Sequence, residues 1–217
     1  MNSTPLKSGN SNHIYYPAFI DITGKKCLVI GGGKVAERKV VMLLQFGARV
    51  VVVSPAMSKQ LMKLGEEGKI EPFRRTYAEK DLSGTVLVFA CTNKNVVNGK
   101  IRKDAMQKNI PVNVADNPVI CDFIVPSIVK KGDLTIAIST SGRLPLLSKK
   151  LRQKIEEIVT DDYLTYLTTI GKFRKQLIRT VKDKQKRATI MKEIEKMDMK
   201  KITPAKLAST MKKAMSS

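Results

Sequence analysis

Histidine occurs once in the 217 residues, tryptophan not at all, and cysteine three times. The one histidine, His13, stands in a polar leader, so a histidine-based metal site is excluded. Cys27, Cys91 and Cys121 are widely spaced and odd in number. They form neither a disulfide framework nor a CxxC knuckle, which fits a reducing compartment, and two of them lie in apolar runs that read as strands. No apolar run reaches the length of a membrane span, and the opening MNSTPLKSGNSNH has no apolar stretch after its charges. The expectation is a soluble cytoplasmic protein with a flexible leader over residues 1–14 and no membrane partner. Acidic residues are also scarce. Nineteen Asp and Glu face forty Lys and Arg, a net charge of +21, which attracts polyanions without saying which. Aromatics at 5% and the absence of any recognised binding module count against nucleic acid as that polyanion.

What is present is an ordinary globular balance, 42% hydrophobic and 27% charged, long enough for a good-sized domain and an appendage. Short β-branched runs alternate with amphipathic segments through the first half. Strands are expected over 27–30, 49–53, 69–74, 85–90 and 110–115, and helices over 34–46, 56–66 and 94–107, with Gly47 just past the first helix. Near-continuous apolar strands separated by helices predict an α/β fold, a Rossmann-like doubly wound parallel sheet over residues 15–116. After Asp116 the pattern changes. Two strands joined by Lys130-Lys-Gly-Asp133 form a small β segment within 117–144, and residues 145–217 read as helical, with Pro145 at a helix start. From Lys172 onward fifteen basic residues meet four acidic ones, for which a solvated helical face is the plainer account and a nucleic-acid arm the lesser one.

Gly31-x-Gly33-x-x-Ala36 directly follows one strand and opens a helix. In that context Gly31 permits a tight turn, Gly33 lets the backbone approach a pyrophosphate, and Ala36 lets helix and strand pack closely. The bare amides at the helix start then hold the phosphates. An acid that would read the ribose is missing: Val53-Ser54-Pro55 stands where Asp or Glu is usual, so NAD and NADP both remain open. Thr92-Asn93 falls at the carboxyl edge of the sheet, where small polar residues also make turns. Asp116, ahead of Asn117-Pro118, reads as a turn former or as a base taking the proton that must leave with a hydride; the residues alone favour the turn. Ser139-Thr140-Ser141-Gly142-Arg143 precedes a helix and either caps it or holds a carboxylate.

Taken together, Cys27-Leu-Val-Ile-Gly-Gly-Gly-Lys-Val-Ala-Glu-Arg-Lys39, Asn113-Val-Ala-Asp116, Phe123-Ile-Val-Pro-Ser127 and Ala137-Ile-Ser-Thr-Ser-Gly-Arg-Leu-Pro145 resemble the precorrin-2 dehydrogenases, including the amino-terminal part of sirohaem synthases. The resemblance covers about residues 15–160. It implies NAD-dependent oxidation of precorrin-2 to sirohydrochlorin in sirohaem biosynthesis, by a homodimer whose dimerisation region is the segment after Asp116. It implies cofactor contacts at Lys34, Val35, Pro55 and Ala56, an important aspartate at Asp116, and a substrate region at Thr140, Ser141 and Arg143. It also implies that the many carboxylates of the tetrapyrrole are the object of the positive field. No methyltransferase part is expected in these 217 residues. A bifunctional form that also inserts iron is the first alternative, with no dedicated metal ligands in the chain, and a non-catalytic NAD-responsive or nucleic-acid-binding protein is the second.

Overall fold

The apolar runs of the first half become strands buried on both faces, as a sheet covered by helices on each side requires. The computed structural model describes residues 14–115 and 117–216, the last three by backbone alone; the leader to His13 and Asp116 lie outside the described residues. β1 (Lys26–Ile30), β2 (Arg49–Val53), β3 (Ile70–Phe73), β4 (Thr85–Ala90) and β5 (Val112–Val114) alternate with α1 (Lys34–Gln45), α2 (Lys59–Glu66) and α3 (Asn95–Gln107). All neighbours are parallel, in the order β3-β2-β1-β4-β5. This is the Rossmann-like doubly wound sheet that the sequence predicts.

The two-residue period of β1 divides the core. Cys27 and Val29 pack on one face with Ala36, Val40 and Leu43 of α1 and Leu61 of α2. Leu28 and Ile30 pack on the other with Ile101 and Ala105 of α3. Each large apolar side chain so buried contributes about 1.5–3 kcal/mol, which outweighs any helix propensity in segments this short. Burial also pushes the Cys27 thiol up to about 11, so it packs as a small hydrophobe.

Helix ends follow local chemistry. Gly47 takes φ 72° beyond the last residue of α1, the left-handed position that glycine fills at no steric cost. α2 begins at Lys59, three residues later than the apolar pattern suggested. The Ser58 hydroxyl caps it by accepting the Leu61 amide at 3.3 Å, while Ala56 is spent in the preceding loop, its carbonyl taking the Ser54 hydroxyl at 2.7 Å.

Between β3 and β4 the chain crosses with only one 3₁₀ turn, Glu79–Leu82. Asp81 fastens it: its carboxylate accepts Arg75 at 2.8 and 2.5 Å and the Ala78 amide at 2.9 Å. The Arg75 guanidinium holds this nearly buried carboxyl below the usual carboxylate range.

The described residues fall into two compact units that divide between Val125 and Pro126. In the second, β6 (Ser127–Lys131) and β7 (Leu134–Ile138) form an antiparallel hairpin. Lys130 and Lys131 belong to the strand, and the turn is Gly132-Asp133 alone, with Gly132 at φ 54°. Pro145 opens α4 (Pro145–Ile158) at a position where its missing N–H costs nothing. Lys131 donates to the carbonyls of Glu156 at 2.8 Å and Val159 at 2.5 Å, at the end of that helix. α5 (Asp161–Thr180), α6 (Lys184–Glu195) and α7 (Pro204–Ser216) close on Phe173, Leu177, Val181, Ile190, Ile194, Leu207 and Met211. Asp183 restarts the chain after α5, its carboxylate accepting the Lys186 amide at 2.9 Å. No helix among the described residues is long and apolar enough to cross a membrane.

Asp81→Asn will destabilise the protein at pH 7 by about 1–3 kcal/mol, allowing for the solvent that reaches Arg75. A carboxyl depressed in the folded state stabilises above its unfolded pKa of about 3.9, and that contribution is lost as pH falls through the folded value. Urea unfolding of both proteins should therefore show a gap at pH 7 that narrows towards pH 3; a gap independent of pH would remove the ionised pair as its cause.

Candidate functional site

The strand order reverses direction between β1 and β4, and the carboxyl ends of these strands open a crevice there. The Gly31 amide donates to the Val53 carbonyl at 3.0 Å, and the Cys91 amide to the Ile30 carbonyl at 2.7 Å. These bonds bring the ends of β1, β2 and β4 to one edge. A cavity of about 680 Å³ lies there, lined by Gly31, Gly32, Gly33, Lys34 and Val35 after β1, and by Ser54, Pro55 and Ala56 after β2. Cys91, Thr92 and Asn93 after β4, and Ala115 after β5, line the same edge.

The three glycines differ in what forbids a side chain. Gly31 has φ 127°, and a Cβ there would run into the Cys91 carbonyl. At Gly32 a Cβ would overlap the carbonyl of Ala56. Gly33 has an extended backbone, and nothing of the protein stands within 4 Å of a Cβ built on it. The protein itself therefore does not demand glycine at 33, whereas a ligand pressed against the loop would. Gly33 is also the N-cap of α1 and supplies no side-chain hydrogen bond, leaving the first amides of a twelve-residue helix facing the cavity side.

Charge and hydroxyls are arranged around this loop. The lining includes Lys34, Lys94 and Lys100, and no carboxylate among the described residues. Lys34 pairs at 3.2 Å with Glu37, whose carboxyl is held below its usual range by the adjacent Ser58 hydroxyl and then by Lys34, and whose buried Oε1 has no hydrogen-bond partner among the described residues. Ser54 is nearly buried, and its hydroxyl hydrogen is committed to Ala56. Thr92 donates to Asn98 Oδ1 at 2.7 Å, and Asn98 returns its amide to the Thr92 carbonyl at 2.9 Å, which anchors the start of α3. Ala36 does not reach the cavity; it is fully buried and lets α1 lie against the sheet.

Thr76, Tyr77, Lys94, Val96, Val97 and Lys100 also line the cavity, and sequence reasoning did not find them. Thr76 and Tyr77 follow β3 and were open to discovery by the carboxyl-edge rule; Lys100 sits inside α3, where nothing in the sequence marks it. The Tyr77 hydroxyl donates to Asp104 at 3.1 Å, and Lys100 reaches the same carboxylate at 2.6 Å. Burial pushes the Tyr77 phenol far up, with Asp104 adding to the shift, so it stays a donor.

The segment expected to meet substrate lies in the second unit. Thr140 Oγ1 accepts the Leu144 amide at 3.1 Å and the Thr140 carbonyl accepts the Arg143 amide at 3.0 Å, while Ser141 and Gly142 take φ 52° and 79°. The Ser139 hydroxyl accepts the Ser141 amide at 2.9 Å. This is a tight, self-bonded turn leading into α4. Asp116 lies outside the described residues, directly after the cavity-lining Ala115.

A family described as putative NAD(P)-binding matches residues 18–127, the stretch that builds the sheet and this cavity. The chain belongs to that family. A second, described as sirohaem biosynthesis protein central, matches residues 131–158. A siroheme synthase of Vesicomyosocius okutanii is 40% identical over 163 residues, covering 75% of this chain and 35% of that protein. The siroheme synthase of Azotobacter vinelandii is 32% identical over 213 residues, 93% of this chain and 46% of its own length. The chain thus spans between a third and a half of these curated relatives. Among solved structures, SirC, precorrin-2 dehydrogenase, superposes with a TM-score of 0.73 at 25% identity, covering 94% of this chain and all of that one.

For an NAD(P)-binding protein the residues present fit the group. Gly31–Gly33 and the start of α1 would hold the pyrophosphate, and the β2–α2 loop the adenosine ribose. Gly33→Ala will leave thermal stability within about 1 °C of the parent yet weaken NAD⁺ binding at least about tenfold, because only the ligand meets the new methyl. Gly31→Ala will lower both, since its Cβ strikes Cys91 and its φ is left-handed. Calorimetry of each variant with and without NAD⁺ checks the contrast; a Gly33→Ala protein that binds normally would take the pyrophosphate away from this loop.

Proposed function

We propose that this protein oxidises precorrin-2 to sirohydrochlorin with NAD⁺ as acceptor, in the biosynthesis of sirohaem. The observation that carries the reading is the likeness to SirC, which extends over 94% of the chain and so includes the second unit as well as the generic nucleotide-binding sheet. The siroheme synthase relatives and the short match over residues 131–158 support the same pathway.

In this reading NAD⁺, when bound, accepts a hydride from the tetrapyrrole, and the chain must remove the accompanying proton. Asp116 stands next in sequence to cavity-lining Ala115 and is the carboxylate proposed to take that proton or to orient the substrate. Thr140, Ser141 and Arg143 are proposed to face the peripheral carboxylates of the substrate, with Arg143 as a paired donor. Residues 15–116 serve as the nucleotide domain, 117–144 as the dimerisation segment and 145–217 as the helical domain of a cytoplasmic homodimer. A two-stranded hairpin is marginal in water by itself, and α4 leaves Leu146 and Leu147 exposed and Ile158 60% exposed, which supports a second copy as their cover.

The relatives' name, siroheme synthase, favours a second reading in which the same site also inserts iron. No group of three or more metal-ligating side chains occurs among the described residues, so the tetrapyrrole nitrogens and Asp116 would have to serve. Sirohydrochlorin mixed with protein and Fe²⁺ or Co²⁺, without NAD⁺, should then be metallated faster than in the protein-free blank.

Anaerobic precorrin-2 mixed with protein and NAD⁺ is expected to give one NADH per sirohydrochlorin. Asp116→Ala should bind NAD⁺ as the parent does and lose about 10²–10⁴-fold in turnover. An unaltered kcat/KM would remove Asp116 from the mechanism, and no acceleration by folded parent protein would remove the activity.

A further inference from the structure

β5 is three residues long and stands at one end of the sheet, with no further strand beside it among the described residues. The chain that returns past it supplies the missing partners. The Asp122 carboxylate accepts the Val112 amide at 3.0 Å, the Asp122 amide donates to the Val112 carbonyl at 2.9 Å, and Asn113 Nδ2 donates to the Phe123 carbonyl at 2.9 Å. From α3, Arg102 holds the same Asp122 carboxylate at 2.8 and 2.9 Å. On the inner side the Ala115 amide donates at 2.9 Å to the carbonyl of Ala90, the last residue of β4.

At Val114, where β5 ends and the chain leaves for the proposed proton acceptor, the outer partner is a sulfur. Cys121 Sγ accepts the Val114 amide at 3.1 Å, and its hydrogen reaches the Val114 and Asn117 carbonyls, each at 3.3 Å. One S–H serves one carbonyl at a time, so the thiol links two residues by a shared proton. These two residues flank Ala115-Asp116 in the chain. The backbone bonds of the same turn are long, from the Asn117 amide to Val114 and from the Ile120 amide to Asn117, both at 3.4 Å, which leaves the sulfur a real share of the holding. Burial pushes the Cys121 thiol up, so its hydrogen stays on. Cys27 is the contrast: it packs in the apolar core and makes no hydrogen bond among the described residues.

We infer that Cys121 is a positioning residue for the dehydrogenation, its thiol fixing Val114 and Asn117 and through them the place from which the Asp116 carboxylate acts. The inference rests on the dehydrogenase reading with Asp116 in it, and gives the thiol no contact with substrate or cofactor. Proton transfer needs its heavy atoms within hydrogen-bond reach, and a misplacement of about 1 Å costs up to about 10²-fold in rate. Cofactor affinity, set at the glycine loop, is not affected.

Cys121→Val keeps roughly the bulk of the thiol and removes its donor and acceptor, whereas Cys121→Ser keeps both on a smaller group. Each is compared with the parent and with Arg102→Ala, which cuts the outer tie of the same edge, by turnover of anaerobic precorrin-2 with NAD⁺, calorimetric NAD⁺ binding and thermal unfolding. In Cys121→Val, kcat should fall at least about tenfold, while KM for precorrin-2 and the Kd of NAD⁺ stay within about threefold. Cys121→Ser should return kcat to within about threefold of the parent, and Arg102→Ala should lower thermal stability with kcat within about twofold. Cys121→Ala takes the place of the valine variant if that protein does not fold. A folded apolar variant with kcat within about twofold of the parent, a serine variant no better than it, or an equal loss of kcat in Arg102→Ala overturns the inference and leaves the dehydrogenase reading standing. A parent without turnover, or an unimpaired Asp116→Ala, removes the reading of Asp116 and the inference with it.

Discussion

Much of this structure depends on how closely two parallel strands can end. β1 and β4 are hydrogen-bonded along their length, and beyond Ile30 the backbone must turn away from β4 with no room for a side chain. Gly31 meets that demand with a left-handed φ, beside the Cys91 carbonyl. From this one steric constraint the rest of the site follows in order. The turn releases α1 at a fixed angle, and the helix start comes to the carboxyl edge. Ala36 then lets the helix settle on the sheet, and Gly32 draws the β2–α2 loop against it through the Ser58 amide, which donates to the Gly32 carbonyl at 2.9 Å. A binding loop and a core contact are therefore set by the same few residues.

The sequence is legible where periodicity and sterics coincide. Both faces of β1, β2 and β4 are apolar, so their burial and parallel arrangement could be read without coordinates, and so could the glycine loop, because its residues sit between a strand and a helix. A positional rule, that ligands meet the carboxyl ends of strands, points to Ser54, Thr92 and Asn93, the family resemblance points to Pro55 and Ala56, and the cavity gathers all five. The same rule extends to the end of β3, where Thr76 and Tyr77 line the cavity. Lys100 was beyond it altogether, since its place on the cavity wall depends on the rotation of α3 and on a buried Asp104 with which it pairs. The start of α2 was misjudged because an apolar Ala56-Met57 looks helical, whereas a hydrogen bond from Ser54 uses the Ala56 carbonyl in the loop.

The positive charge divides in a similar way between what structure absorbs and what it leaves. Lys26 is tied to the carbonyls of Asp81 and Ser83, Arg75 to Asp81, and Lys131 to the end of α4. These cations act as fasteners, each satisfying polar groups that a neutral side chain would leave bare. The basic residues of α5, α6 and α7 have a different part: the apolar side chains of those helices turn inward to a shared core, and the charges are what remains outside. Composition counted both kinds together, and only their partners separate them.

Lys131 has a consequence for how the second unit moves. Its ammonium leaves the end of β6 and fills carbonyls at the end of α4 that the helix cannot satisfy by itself. Hairpin and helix are then tied at the point where each would begin to fray. Local opening of one exposes the orphaned groups of the other, so their amides exchange with solvent as a single cooperative foldon instead of two.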